Sequence, residues 1–265
     1  MQLTKHHGLG NDFLVALPEA LPADAPAMAQ AMCHRTRGVG ADGLILGLPG
    51  DPVSGTDVTM VLFNADGSRA EMSGNGIRCL AQAYVLQGGR GRARGGLELR
   101  IGTDAGVRTV QVDPAHDPAA IQARVDMGPV SAGPGPESIG YPDGLRCATA
   151  DVGNPHLVIQ VPDARGVDAA LDGAELSRRA GGVNVEFISP HADGRGIDLR
   201  VWERGVGATE ACGTGACAAA QAAHNWGLVG SVVAVSMPGG DVVVELGDTA
   251  VLVGPAVFIA TVDCG

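Results

Sequence analysis

Short apolar runs, many with every second position polar, fill most of this chain, and they predict strands far more often than helices. Residues 1–17 read as strand, turn and strand, with the turn at Gly8 to Asp12. LILGL after the glycine turn 38–43, VTMVLFNADG at 58–67, and LELRI, VRTVQV and IQARVDM between 97 and 130 continue the series. CATADVGNPHLVIQV at 147–161 is strand, turn, strand, and five further strands follow from VNVEFIS to AVLVGPAVFIATV. Helical spacing is confined to 24–37, to a segment running from Ser73 to about Leu86, to a short stretch near 173–180, and to the residues after Cys212. The basic loop GGRGRARGG at 88–96 reads as solvated and receives no role, and the Pro/Gly-rich 131–144 as an exposed connection.

Two of the helices begin alike. SGNGIRCLAQAY at 73–84 and CGTGACAAAQAA at 212–223 superpose at an offset of 139 residues, matching Gly74 to Gly213, Gly76 to Gly215 and Gln82 to Gln221. Each is a Gly-x-Gly turn opening an alanine-rich, apolar helix. The chain is therefore expected to be two related halves, each a mixed, mostly antiparallel α/β layer of strands curled around one central helix. The boundary is placed at 116/117, where Pro114, Asp117 and Pro118 interrupt the strands, with the last strand allowed to pack back on the N-terminal half.

A cysteine at a helix mouth has two readings. It is a small buried hydrophobe before a glycine cap, or a reactive thiol whose pKa the helix dipole and unpaired N–H groups lower. The second reading makes Cys212 a candidate acid/base group and the N–H groups beside it a carboxylate cradle.

Composition narrows the field. With 18 basic and 29 acidic residues the net charge is −11, which argues against nucleic acid or an anionic membrane as partner. Scattered cysteines (33, 79, 147, 212, 217, 264) without a CxxC pair predict neither zinc nor a disulfide framework, and the histidines form no HExxH. No metal or cofactor is expected. No apolar leader or 18-residue apolar run is read, so a cytoplasmic protein is expected.

Several motifs together resemble one family. GLGNDF at 8–13, FNADGSRAEM with GNGIRC across 63–79, GNPH at 153–156, NVEFI at 184–188 and ERGVGATEACGTGA at 203–216 look like diaminopimelate epimerase, in order over most of the chain. The resemblance implies a cofactor-independent isomerase that interconverts LL- and meso-diaminopimelate, serving lysine and peptidoglycan precursor synthesis. It also implies two pseudo-symmetric halves with a site in the cleft between them; a dry cleft strengthens the contacts to the reacting carbon, so the halves are expected to close on substrate, and a homodimer is expected. Inverting a carbon needs an acid and a base on opposite faces, and donors for the charge that grows on the carboxylate.

By the same resemblance Cys212 is one of two catalytic cysteines, while Gly74–Asn75 and Gly213–Thr214 hold the reacting carboxylate. Asn64, Asn154, Asn184 and Arg204 resemble ligands of the distal carboxylate and amine, Asn11 and Glu203 hold the reacting amine, and His156 stands beside it. An arginine fork suits a carboxylate and a glutamate an ammonium. Each asparagine also reads as a plain turn residue, and Glu203–Arg204 as a solvated pair.

One position departs from the pattern: Ser73 stands where the family has its other cysteine, and Cys79 is six residues too far along the helix to replace it. Gly43 also stands where some members carry a glutamine. Ser73 leaves open a related amino-acid epimerase or dehydratase of the proline-racemase-like type, or a non-catalytic amino-acid-binding homologue.

Overall fold

The computed structural model describes residues 2–88, 97–133 and 144–263. Residues 89–96 of the basic loop and 134–143 of the connection lie outside the described residues, as does Cys264. The chain forms two compact units, Met1–Val125 with Gly254–Gly265, and Asp126–Val253. The 116/117 position lies between the second and third strands of a meander in the first unit.

The first unit runs β1 (Gln2–Gly8), β2 (Asn11–Ala16), α1 (Ala25–Cys33), β3 (Gly43–Pro49), β4 (Val58–Asn64), β5 (Arg69–Ala70), α2 (Gly74–Leu86), β6 (Leu97–Thr103), β7 (Gly106–Pro114) and β8 (Ala120–Asp126). The second runs β9 (Ser131–Ala132), β10 (Cys147–Asp151), β11 (Pro155–Gln160), a 3-10 turn (Ala164–Gly166), α3 (Ala169–Arg179), β12 (Asn184–Pro190), β13 (Gly196–Glu203), β14 (Gly207–Thr209), α4 (Gly213–Asn225), β15 (Val232–Met237) and β16 (Gly240–Leu246). β17 (Ala250–Asp263) starts in the second unit, pairing with β16, and continues past Gly254 to pair antiparallel with β1.

From β10 onward the second unit repeats the pairing order of the first. β1–β2, β3–β4, β4–β5 and β6–β7 are antiparallel, as are β10–β11, β12–β13, β13–β14 and β15–β16. β2–β3 and β4–β6 are parallel, as are β11–β12 and β13–β15. The expectation of mixed, mostly antiparallel sheets with one central helix per half is met. α2 packs on β1, β2, β3, β4 and β7, and α4 on β10 to β13, β15 and β16.

A helix enclosed by strands must be apolar all round. Nearly all of α2 up to Ala83 and of α4 up to Ala223 is buried, and small side chains let the strands approach. The alternation of strand side chains then serves two layers. Leu44, Leu46, Val61 and Phe63 pack with Ala25, Ala29 and Cys33 of α1 on the outer side, whereas Ile45 and Met60 lie against Gly76 of α2. Leu157, Ile159, Val185 and Phe187 repeat the outer layer with Ala169 and Ala180 around α3.

Two helix boundaries differ from the sequence reading. The helix expected over 24–37 stops at Cys33, because the chain folds back so that Val39 and Gly40 both donate to the Met32 carbonyl. A Cβ at Gly38 would lie 2.2 Å from the Ala31 oxygen, so only glycine makes that return. The helix expected near 173 starts at Ala169, because the Asp168 carboxylate caps the N–H groups of Ala170 and Leu171.

Candidate active site

The two Gly-x-Gly turns become two helix N-caps with one geometry. Ser73 caps α2 with φ −139° and ψ 124°, and its Oγ accepts from Gly76 N at 3.0 Å. Cys212 caps α4 with φ −133° and ψ 117°, and its Sγ accepts from Gly215 N at 3.3 Å. Each cap takes the third N–H of its helix, and the first two, from Gly74–Asn75 and Gly213–Thr214, belong to the turn that an α-helix does not bond internally.

In the second unit, strands β11, β12 and β13 bring a polar group beneath α4. Cys212 Sγ lies 3.5 Å from Thr214 Oγ1 and is hydrogen-bonded to the Glu203 carboxylate at the end of β13. Glu203 Oε1 also accepts from Thr209 Oγ1 at 2.5 Å. His156 of β11 is fully buried, with Nδ1 2.7 Å from Glu186 Oε1 and Nε2 2.9 Å from Asn154 Oδ1. Asn154 Nδ2 reaches on to Thr214 Oγ1 at 3.4 Å. Asn184 Oδ1 accepts the backbone N–H of Arg204 at 2.9 Å, and the Arg204 guanidinium donates to Gly182 O at 3.3 Å.

Electrostatics here reverse an expectation. The helix mouth was to lower the Cys212 pKa; instead the thiol is held well above its ordinary value. Burial is the main cause, followed by the Glu203 and Glu186 carboxylates, and together they outweigh the Gly215 N–H and Thr214 hydroxyl. Burial likewise pushes the Glu203 carboxyl up, against hydrogen bonds from Thr209 and Cys212. Cys212 and Glu203 are thus a thiol and an acid that compete for protons.

In the first unit the neighbours of the cap differ. Asn75 Nδ2 donates to Asn11 Oδ1 at 3.2 Å, and Asn11 Nδ2 donates to Asp42 Oδ2 at 2.8 Å. Asp42 and Asp12 share Arg35, and Lys5 reaches Asp12 at 2.9 Å. Asn64 donates to Ser68 Oγ at 3.0 Å across its turn. Arg78 is fully buried and donates to Gly74 O, Asn75 Oδ1 and Pro255 O. Cys79 is buried inside α2, where desolvation pushes its thiol up to about 12.

Strand register gives the correspondence between the two units. Ile45 pairs with Leu62 and Glu186 with Val201, and Leu62 and Val201 stand at the 139-residue offset. Ile45 therefore corresponds to Glu186. By the parallel neighbours Phe13 corresponds to His156 and Gly43 to Asn184, so that Asn11 matches Asn154. The offset itself matches Asn64 to Glu203 and Asn75 to Thr214.

The same offset matches Arg204 to Ala65, so Arg204, like His156 and Asn184, has a partner of different chemistry, and the two sets lie one in each unit. Three charged residues that touch them were not singled out from the sequence: Glu186, Asp42 and Arg78. Glu186 had a signal, an acid at an inward position between buried Val185 and Phe187. Arg78 had one too, a charge on a helix otherwise apolar all round. Asp42 reads as an ordinary turn former in GADG.

The family model described as diaminopimelate epimerase matches residues 3–132 and 148–259. "Diaminopimelate epimerase 1" of Nostoc sp. is 39% identical over 265 residues, covering 92% of this chain and 91% of its own. A diaminopimelate epimerase of Desulfitobacterium hafniense is 38% identical over 287 residues, with 98% of this chain and 96% of its own covered. Among solved structures, a predicted epimerase from Pseudomonas aeruginosa aligns with a TM-score of 0.76 at 18% identity, covering 99% of this chain and 98% of its own, which speaks to the fold.

Proposed function

This chain belongs to the diaminopimelate epimerase family, and from that premise we propose that it interconverts LL- and meso-diaminopimelate by proton transfer on the two faces of the α-carbon. The observation that carries the reading is the pair of identically built N-caps, one of them a thiol hydrogen-bonded to a carboxylate whose proton affinity is raised.

Cys212 and Ser73 are the groups assigned to the two faces. In one direction Glu203 accepts the thiol proton: the S–H bond breaks, an O–H bond forms, and the thiolate removes the α-proton. The electron pair of that C–H bond moves toward the substrate carboxylate, where N–H groups of Gly74–Asn75 and Gly213–Thr214 stabilise it. Ser73 delivers a proton to the opposite face by relaying one from water through its hydroxyl. In the other direction Ser73 passes the α-proton from its face to water through its hydroxyl, and the Cys212 thiol is the donor on the opposite face, a role its raised pKa favours. Asn11 and Glu203 hold the reacting ammonium, and Asn64, Asn154, Asn184 and Arg204 the distal head group. A distal carboxylate and amine account for that set better than a proline-like substrate does.

The wider reading is a cytoplasmic homodimer with no metal, cofactor or nucleic-acid partner. The net charge of −11 supports the last point, and no helix among the described residues is long and apolar enough to cross a membrane. The test is incubation with LL-diaminopimelate in D2O, following isomer ratio and α-deuterium together. Formation of meso isomer carrying deuterium supports the reading. Binding without exchange would leave an amino-acid-binding protein, and loss of water from a hydroxylated amino acid a dehydratase.

A further inference from the structure

Glu186 and His156 form a buried pair for which the fold has no need. Both side chains are fully enclosed, and Glu186 Oε2 has no hydrogen-bond partner among the described residues. Burying a carboxylate costs several kcal/mol even when it is paired, and an apolar pair of similar size is often at least as stable. The first unit makes that comparison within the same chain: the corresponding residues are Ile45 and Phe13, in strands with the same register. The same supersecondary unit thus forms with an apolar pair.

What the charged pair does is visible in its contacts. Glu186 Oε1 faces His156 Nδ1, and Asn154 Oδ1 faces Nε2, so both ring nitrogens have an oxygen acceptor. The Asn154 amide then directs its NH2 to Thr214 Oγ1, which touches Cys212 Sγ. The corresponding Asn11 is turned the other way. A carboxylate, Asp42, takes its NH2, and its oxygen faces the helix-mouth residue Asn75. One asparagine therefore presents an acceptor to its helix mouth and the other a donor.

We propose that Glu186 is a positioning residue: its carboxylate anchors His156 Nδ1, and the ring's other nitrogen, held against Asn154 Oδ1, fixes Asn154 with its NH2 toward the mouth of α4. A ring with a bare Nε2 would instead accept a hydrogen bond from the Asn154 NH2 and turn the amide oxygen to Thr214. The inference rests on the reading above only for its effect on turnover. The titratable groups facing the pair are Glu203 from β13 and Cys212 from the α4 cap. Across the sheet His156 meets Ala150 and Asn184, and Glu186 meets Val158 and Val201, none of which titrates.

The deciding experiment is 15N NMR of the imidazole nitrogens in the free full-length protein, with the His156 signals identified by their loss in His156→Gln. A proton on His156 Nε2, facing Asn154 Oδ1, and its loss from that nitrogen in Glu186→Gln are the expected results. Glu186→Gln keeps the acceptor oxygen and the volume but not the charge, so kcat should fall about tenfold or more, with partial recovery in Glu186→Asp. A bare His156 Nε2 in the unaltered protein overturns the proposal without any variant, and so does Glu186→Gln that keeps both the Nε2 proton and full kcat. A protein with Nε2 protonated but without diaminopimelate turnover refutes the proposed substrate and leaves the positioning assignment standing.

Discussion

At the mouth of α2 the cap is a hydroxyl, the strand residue below it is Ile45, and the buried charge is the guanidinium of Arg78; at the mouth of α4 the corresponding positions hold a thiol, Glu186 and Cys217. The two buried histidines differ in the same sense. His6, on β1 of the first unit, lies between Gln82 Oε1 at 2.8 Å and Thr4 Oγ1 at 2.9 Å, and burial pushes its pKa down to about 4. His156 faces a carboxylate instead. The backbone is the same to within a few degrees at the caps, so the difference separates what the fold requires from what the chemistry requires. A Gly-x-Gly turn and a small-residue helix are common to both units. The thiol, the buried imidazole beside a carboxylate and Glu203 gather in the second.

The comparison predicts unequal roles for the two caps. Cys212→Ala should lower epimerisation about a thousandfold or more, the loss of a direct proton-transfer group, and Ser73→Ala only about tenfold. Steady-state kinetics in both directions measures this, and equal losses would make the mouths equivalent and end the comparison.

Next in size is the effect of filling each turn. A Cβ at Gly215 would lie 2.8 Å from Glu186 Oε1 and 3.3 Å from Cys212 Sγ, whereas at Gly76 it would meet Ile45 Cδ1 at 3.1 Å and Met60 Cε at 3.2 Å. Gly215→Ala should displace the reacting groups and cost about a hundredfold in kcat. Gly76→Ala also meets Ser73 Cβ at 3.1 Å, but no contact is under 3.0 Å and two are flexible side-chain ends, so it should cost about 1–2 kcal/mol of stability with a smaller loss of activity. Kinetics paired with urea melts of both variants separates the two outcomes; the reverse ranking in kcat would contradict it.

His6 supplies a stability signature of the first unit. Its folded pKa of about 4 lies below the ordinary 6.5, so the unfolded chain binds the extra proton between these values. Its contribution is complete above about pH 6.5 and is lost as pH falls toward 4, by about 3 kcal/mol at most. Urea unfolding at a series of pH values should show this slope, and His6→Gln should flatten it. An unchanged slope in the variant would mean that His6 is not the group responsible.

The smallest predicted effect is a gain. Ser73→Cys should raise turnover about tenfold, the equivalent of about 1.4 kcal/mol in the transition state, by giving the α2 mouth an acid/base group of matched strength. A folded variant with unchanged or lower activity would show that the hydroxyl already serves as well as a thiol there.

Much of this arrangement is written locally. The strand alternation, the 139-residue repeat and the Gly-x-Gly turns are short-range patterns, so the central helices and their two caps could be read directly. Cap chemistry needs only the residue and the N–H three positions on, which is why Ser73 and Cys212 were placed correctly at their helix mouths. Helix ends set by a distant return or an unexpected cap, at Cys33 and Asp168, were not legible to the same precision.

The electrostatics were decided by tertiary structure alone. The Cys212 pKa depends on its burial and on Glu203 and Glu186, which lie 9 and 26 positions earlier in sequence and reach it only through the β12–β13 pairing and the packing of α4. The helix-mouth effect belongs to adjacent residues and was visible, but it is the smaller influence. For the same reason Glu186 was passed over: in sequence it is one acid in an apolar strand, and only the register of β11 beside β12 sets His156 against it. A sequence states which residues alternate and which turns can form; the distance between two charges, which fixes their proton affinities, exists only once the strands have paired.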